Sequence, residues 1–347
     1  MNSTSYWRSL AAKRISPAAH PRVLKGGEFV ALDSGSLESR YANWNPLVSD
    51  LVAMPASCRA LPPLRDRKVR DLIRRKTSRS YAILGIGWLA LAAFALLVPV
   101  WKHKAPGLLP LALLALGSFL LSEATLIRKG RPLLFERGLF FQSLRSNAKV
   151  RAVVWASTLV LGIIFATQQW LEAELGSEAV LVNFAMVRGK LMEHPLTWLS
   201  GPLMHGSVTH FSSNLLLLSI VLAIAVTVVR FRALVALFAV ANAAGGAIQL
   251  QYGGAGYQAY IGISAGVFSL YFLVIFLASL RPRAFPLGLQ KALLSTAVAS
   301  ICLSEVFSPS AATLAHMAGA IIGLISGAVL FQVSKPSSAW RGETLLG

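Results

Sequence analysis

The sequence predicts an all-α, polytopic membrane protein with about eight transmembrane helices. Hydrophobic residues make up 55% of the 347-residue chain, only 14% of its residues are charged, and the mean hydropathy is +0.61. A soluble domain of this size carries more charge than that. The apolar residues also fall into runs of about twenty, which is the length that crosses a bilayer as a helix.

The apolar runs predict the order of the helices and the domains. They lie near 81–101, 106–127, 150–170, 209–230, 232–251, 260–280, 288–306 and 313–334. The first two runs are close neighbours and are expected to form a transmembrane hairpin, 81–127. A basic cytosolic linker, 128–149, then precedes a six-helix domain, 150–334. The two ends are expected to be a flexible, basic cytosolic region, 1–80, and a cytosolic tail, 335–347.

The distribution of Lys and Arg predicts the orientation of these helices. Eight of these residues lie in 64–79 and seven in 128–151, whereas the loops 252–259 and 307–312 contain neither. Because loops rich in Lys and Arg remain in the cytoplasm, both termini are expected there. A bacterial cytoplasmic membrane is the expected location, with an organellar inner membrane as the alternative.

The net charge and the cysteines exclude two other classes of site. A formal charge of +19 is typical of nucleic-acid binding in a soluble protein, but here the basic residues cluster at the ends of apolar runs, where they set orientation. No nucleic-acid partner is therefore expected. Cys58 and Cys302 lie in unlike surroundings, one polar and one apolar, and predict neither a disulfide nor a metal site.

Four polar residues inside the apolar runs are candidates for a functional site, because intramembrane polar groups are costly and usually functional. They are Ser264, His316, His210 and Asn214. Each lies near the start of a run that enters from the non-cytoplasmic side in the expected topology, so all four are expected at a similar depth. Taken singly, each has a structural explanation, such as helix packing for Ser264. Their conjunction predicts a site.

These residue types suit acyl transfer by a serine nucleophile. His316 is the candidate base for Ser264, and no carboxylate is evident that would orient it, which predicts a dyad rather than a triad. His210 and Asn214 are four residues apart, so they project from one face of a helix. Together with the backbone N–H of Ser264, they are candidate hydrogen-bond donors to an oxyanion.

The glycines around these residues predict close helix packing. Gly319 and Gly323 lie in the last apolar run at four-residue spacing, the small-xxx-small pattern that lets helix backbones approach. Gly262 and Gly266 flank Ser264 and are the expected partners of that approach. Such contact is needed to bring the base within about 2.6–3.2 Å of the nucleophile.

The order of these motifs resembles the rhomboid family of intramembrane serine proteases. The resemblance covers about residues 150–334 and rests on His205…His210…Asn214, Gly262-Ile263-Ser264 and Ala315-His316-x-x-Gly319-x-x-x-Gly323. It implies that Ser264 and His316 form the catalytic dyad. It also implies that His210 and Asn214 assist the oxyanion and that His205 has a more structural role. The implied partners are transmembrane protein substrates, cleaved near the outer leaflet, and membrane lipids, with no cofactor.

Three features depart from the family pattern. Ala265 stands where Gly usually follows the serine, and its methyl is expected to crowd the oxyanion site slightly. Phe268 stands where Tyr is common and is expected to pack against the imidazole. The Trp-Arg pair of the family's first outer loop is not matched in 194–199.

Two other functions are the alternatives. A catalytically silent rhomboid-like protein would bind transmembrane helices and govern their folding or traffic, and the departures from the family pattern are its support. Loss of Ser264 or His316 would mark such a protein, and both are present. A small-solute transporter is disfavoured, since its internal repeats are not evident in the sequence.

Overall fold

The computed structural model describes residues 18–25, 28–42, 52–55, 66–101, 108–129, 140–141, 143–145, 147–254, 257–280, 285–307 and 312–333. The chain separates into two compact units, one of residues 1–98 with 113–146 and one of 99–112 with 147–347. Most described residues are helical, which confirms the predicted fold class. The expected tail 335–347, part of the linker 128–149 and Cys58 lie outside the described residues.

The first unit contains a small sheet that was not predicted from the sequence. Its elements are β1 (Arg22–Lys25), β2 (Glu28–Ala31), α1 (Ser34–Ala42) and β3 (Val52–Ala53), and the antiparallel sheet has the order β2-β1-β3. Val23 of β1 lies opposite Val52 of β3. These two side chains form a buried core with Tyr41 of α1 and with Val69 and Ile73 of the following helix.

The predicted hairpin consists of α2 (Arg67–Trp101) and α3 (Leu109–Arg128). α2 begins well before the expected residue 81, because its first turns are a basic helix whose apolar side chains pack on the sheet. The two helices approach closely at glycines: a Cβ on Gly117 would lie 2.8 Å from the Leu89 side chain. The Ser78 hydroxyl donates a 2.9 Å hydrogen bond to the Ala124 carbonyl.

The second unit is a helical bundle. Its described elements are α4 (Ala148–Leu175), α5 (Ser177–Phe184), β4 (Met186–Val187), α6 (Thr197–Leu203), α7 (Val208–Ala225), α8 (Phe231–Tyr252), β5 (Ala259–Tyr260), α9 (Ser264–Leu280), α10 (Leu289–Phe307) and α11 (Thr313–Val333). α9 lies at the centre and packs against α7, α8, α10 and α11. Most of its residues are buried.

The eight predicted spans correspond to eight apolar helices, but they differ in length. Among the described residues, six helices are long and apolar enough to cross a membrane, whereas Ser264–Leu280 and Leu289–Ser304 are shorter. α9 begins at Ser264 and not near the expected residue 260, because Ala259 and Tyr260 pair with β4 instead. α9 is enclosed by other helices, so its length is set by packing within the bundle more than by the bilayer.

Candidate active site

Ser264 is the first residue of α9, directly after a turn that requires glycine. Gly262 has a φ of 107°, a conformation that side-chain-bearing residues rarely adopt. A Cβ at this position would also lie 2.8 Å from Cε1 of His210. The turn therefore needs glycine both for its backbone and for the space that His210 occupies, and it presents the Ser264 hydroxyl at a helix N-terminus.

His316 lies in the first turn of α11 and faces this hydroxyl. Its Nε2 lies 2.9 Å from the Oγ of Ser264, and each side chain is only 6% exposed. The ring of Phe268 packs on the imidazole with centroids 4.8 Å apart. The Nδ1 of His316 has no hydrogen-bond partner among the residues that the structure describes, so no described carboxylate orients the ring. The arrangement is a serine–histidine pair.

The contact between α9 and α11 depends on two glycines. A Cβ on Gly319 would overlap the carbonyl oxygen of Ala265, and a Cβ on Gly323 would overlap that of Ser269. The helix backbones therefore touch at two successive turns, as the four-residue spacing predicts. This close approach brings the two chain segments near enough for the short histidine side chain to reach the serine.

α7 places two further polar groups beside the turn before Ser264. Its N-cap, Ser207, accepts a 3.1 Å hydrogen bond from the backbone N–H of His210. A Cβ on Gly262 would lie 3.0 Å from Nε2 of His210 and 3.9 Å from Nδ2 of Asn214. Asn214 is 5% exposed, and its Nδ2 has no hydrogen-bond partner within the described ranges. A buried amide donor without a partner is unusual unless a ligand or an intermediate supplies the acceptor.

These residues lie within a stretch that matches a known family. Residues 193–333 match the family model described as the Rhomboid domain. The chain contains a rhomboid domain. The resemblance seen in the sequence is thereby confirmed at the level of the family. No curated protein matches the chain. The match begins at residue 193, whereas the apolar runs predict a domain from about 150, and α4 and α5 precede the matched stretch.

Within the rhomboid domain, α8 caps the N-termini of both helices that carry the pair. The Asn242 Oδ1 accepts a 2.7 Å hydrogen bond from the Gly266 backbone N–H, and the Gln249 Oε1 accepts one of 3.2 Å from the Ala315 N–H. Both amide side chains are 3% exposed. Sequence reasoning missed them, although an Asn and a Gln inside the apolar run 232–251 were a usable signal.

The methyl group of Ala265 lies against α8. A Cβ on Gly245 would be 2.7 Å from the Ala265 Cβ, so the absence of a side chain at Gly245 makes room for this methyl. Ala265 is fully buried in an apolar cluster that includes Leu250 and Ala315. The side chain that departs from the family pattern is thus matched by a glycine on the neighbouring helix.

His205 is held by α4, outside the matched stretch. The Gln168 Nε2 donates a 2.7 Å hydrogen bond to the His205 carbonyl, and the His205 backbone N–H donates one of 2.9 Å to the Gln168 Oε1. The His205 ring lies 5.1 Å from that of His210. Burial, and to a lesser extent His210, lowers the pKa of His205 to about 4, so its imidazole is neutral. After Asn242 and Gln249, Gln168 is a third amide side chain that was not singled out from the sequence.

The loop that lacks the family's Trp-Arg pair has a hydrogen bond of its own. The Trp198 indole N–H donates a 3.1 Å hydrogen bond to the Leu191 carbonyl. The indole also packs on the apolar cluster beside Ala265. Within the part of the chain that the structure describes, no group of three or more His, Cys, Asp or Glu side chains could hold a metal ion.

Proposed function

We propose that this protein is an intramembrane serine protease that hydrolyses peptide bonds of transmembrane substrates with a Ser264–His316 dyad. One observation carries the proposal. Two buried side chains from different helices, an imidazole and a hydroxyl, lie 2.9 Å apart within hydrogen-bonding distance. Membership of a domain family that acts on transmembrane substrates supports it.

The first half of the reaction forms an acyl-enzyme. The Nε2 of His316 accepts the proton of the Ser264 hydroxyl as Oγ attacks the carbonyl carbon of the scissile peptide, and the carbonyl π electrons move onto its oxygen. When the tetrahedral intermediate collapses, the C–N bond breaks. His316 gives its proton to the nitrogen as this bond breaks, so the leaving group departs as a neutral amine.

The oxyanion of this intermediate needs hydrogen-bond donors that are in place before the reaction. The unpartnered Nδ2 of Asn214, the imidazole of His210 and the backbone N–H of Ser264 are the proposed donors. Both side chains lie beside Gly262, which is two residues from the nucleophile. The positive end of the α9 dipole adds to the stabilisation of negative charge at this point.

The second half releases the acyl group. Water replaces the amine, His316 takes one of its protons, and the hydroxide attacks the ester carbonyl. The C–Oγ bond breaks, the carboxylic product leaves, and the proton returns to Ser264. We also propose, from the loop charges, that both termini are cytoplasmic and that the dyad lies toward the opposite side of the membrane.

Cleavage of a panel of model transmembrane substrates by the purified full-length protein in liposomes tests the proposal. Ser264→Ala and His316→Ala are each expected to abolish cleavage, and Ser264→Ala to abolish labelling by a fluorophosphonate probe. Ser279→Ala is a matched control, because its hydroxyl bonds the Ile275 carbonyl on the same helix, away from His316. His194→Ala is the control for loss of a histidine, since His194 is exposed.

The same experiment distinguishes the alternative function. Folded wild-type protein that neither cleaves any substrate nor reacts with the probe, yet binds transmembrane helices, would identify a catalytically silent rhomboid-like protein. Cleavage that persists in Ser264→Ala would assign the activity to another residue.

A further inference from the structure

Tyr260 is a buried residue beside the nucleophile to which the mechanism above gives no role. It lies in β5, opposite Met186 of β4, and its side chain is fully buried. A Cβ on Gly246 of α8 would lie 2.6 Å from Cδ1 of the Tyr260 ring and 2.7 Å from the Met186 sulfur. The aromatic ring is therefore held tightly between a strand and a helix, with little freedom to move.

The hydroxyl of this ring is next to the start of α9. Tyr260 belongs to the same buried cluster as Ala265 and Ala315, which adjoin Ser264 and His316, and its hydroxyl makes no direct hydrogen bond with the described residues. Burial raises the pKa of Tyr260 well above its ordinary range. The hydroxyl consequently keeps its proton and is available as a donor.

Stability does not explain this hydroxyl. A buried hydroxyl without a hydrogen bond destabilises the folded state, and Phe would fill the same space without that penalty. The hydroxyl does not cap Gly266 or Val267 of the first turn either, because the N–H groups of these residues already bond to Asn242 and to Ile263. An unpartnered donor beside a reacting oxygen suggests that its acceptor appears during the reaction.

We infer that Tyr260 is a positioning residue whose hydroxyl donates a hydrogen bond to the Ser264 Oγ as His316 removes the serine proton. The Oγ gains negative charge in that step, so it becomes a stronger acceptor than it is at rest. The hydrogen bond then holds Oγ in line with the carbonyl carbon. Because the interaction forms mainly in the transition state, it acts on kcat and not on KM. The inference rests on the proposed protease function.

The test is Tyr260→Phe in the full-length protein, with Tyr257→Phe as the control, because Tyr257 packs on the same apolar cluster. Four quantities are measured: kcat and KM for a transmembrane substrate, the rate of phosphonylation by a fluorophosphonate, and the thermal midpoint. Tyr260→Phe is expected to lower kcat and the phosphonylation rate about tenfold, the effect of one buried hydrogen bond. KM is expected to stay unchanged and the thermal midpoint to stay level or rise. Tyr257→Phe is expected to resemble the wild type.

The outcomes separate this inference from the proposed function. Wild-type kcat and phosphonylation rate in Tyr260→Phe would overturn the inference alone. So would a loss of activity that is matched by a fall in the thermal midpoint, since that pattern belongs to a structural hydroxyl. A wild-type protein without cleavage or phosphonylation would overturn the proposed function, and the inference with it.

Discussion

Gly245→Ala tests whether the pairing of Gly245 with Ala265 holds the dyad in place. The added Cβ would lie 2.7 Å from the Ala265 Cβ and 3.1 Å from the Ala315 carbonyl oxygen. Carbon atoms in contact prefer about 3.5–4.0 Å, so α8 and α9 would have to separate by about 1 Å. Overpacking of this kind costs about 1–3 kcal/mol of stability.

The separation of α8 from α9 would also change the geometry of the dyad. Ala265 follows Ser264 and Ala315 precedes His316, so both members of the dyad adjoin the strained contacts. A shift of about 1 Å in reacting groups lowers rates about 100-fold. Gly245→Ala is therefore expected to lower kcat by up to about that factor and to lower the thermal midpoint.

A second substitution makes the prediction specific. Ala265→Gly removes the 2.7 Å contact but leaves the one of 3.1 Å with Ala315, so the double variant is expected to recover part of the lost kcat and stability. Gly162→Ala is the control for adding a methyl to a helical glycine, because nothing lies within 4 Å of its Cβ position. It is expected to be neutral or slightly stabilising.

The assay is cleavage of a model transmembrane substrate, with thermal unfolding measured in the same detergent. Wild-type kcat and thermal midpoint in Gly245→Ala would refute the reasoning. A double variant no better than Gly245→Ala would refute the specific pairing, because the strain would then lie elsewhere.

Three other predictions follow from the site. The added methyl of Gly319→Ala would overlap the Ala265 carbonyl, so this variant is expected to lose cleavage and to be less stable by about 1–3 kcal/mol or more. Thermal unfolding measures the loss of stability, and unchanged unfolding would contradict the observed helix contact. Asn214→Leu keeps the side-chain volume but removes the unpartnered amide. The kcat is therefore expected to fall about 100- to 1,000-fold, while the thermal midpoint is not expected to fall. A wild-type kcat in this variant would exclude the amide as an oxyanion donor. Because burial, with help from His210, lowers the pKa of His205 from 6.5 to about 4, the unfolded chain binds a proton in this range that the folded chain does not. The contribution of His205 to the free energy of unfolding is therefore expected to be fully present above pH 6.5. As the pH drops toward 4, the free energy of unfolding is expected to fall by up to about 3 kcal/mol. His205→Gln should flatten this part of a pH series of denaturant unfolding, and an unchanged slope would assign it to other groups.

Much of the fold was predictable because lipid imposes a simple rule on sequence. A helix that crosses hydrocarbon must be apolar along its length, so each span appears as a run that can be read without knowing its neighbours. Polar residues within such runs are rare, which is why Ser264, His316, His210 and Asn214 could be selected as candidates. The spacing of Gly319 and Gly323 predicted the close contact between α9 and α11 for a similar reason, since only small residues allow it.

The small sheet of the first unit was harder to predict. Its strands are short, with four residues in β1 and two in β3. Such strands carry little period-two pattern, and their pairing depends on residues distant in the chain, such as Val23 and Val52. The early start of α2 had the same origin, because Val69 and Ile73 are buried in the core that the sheet forms.

The sequence by itself determined the apolar spans, the close contact between α9 and α11 at Gly319 and Gly323, and the four polar residues that the bundle brings together. Only the tertiary structure decided how α8 supports them: the caps from Asn242 and Gln249, and the space at Gly245 that receives the Ala265 methyl. The tertiary structure also decided the place of the Tyr260 hydroxyl beside the nucleophile. The physical reason is that hydropathy measures transfer of a segment into lipid, which depends on that segment alone. Which faces of two helices meet depends on the shapes and hydrogen-bonding groups of both, and these can be read only after the chain has packed.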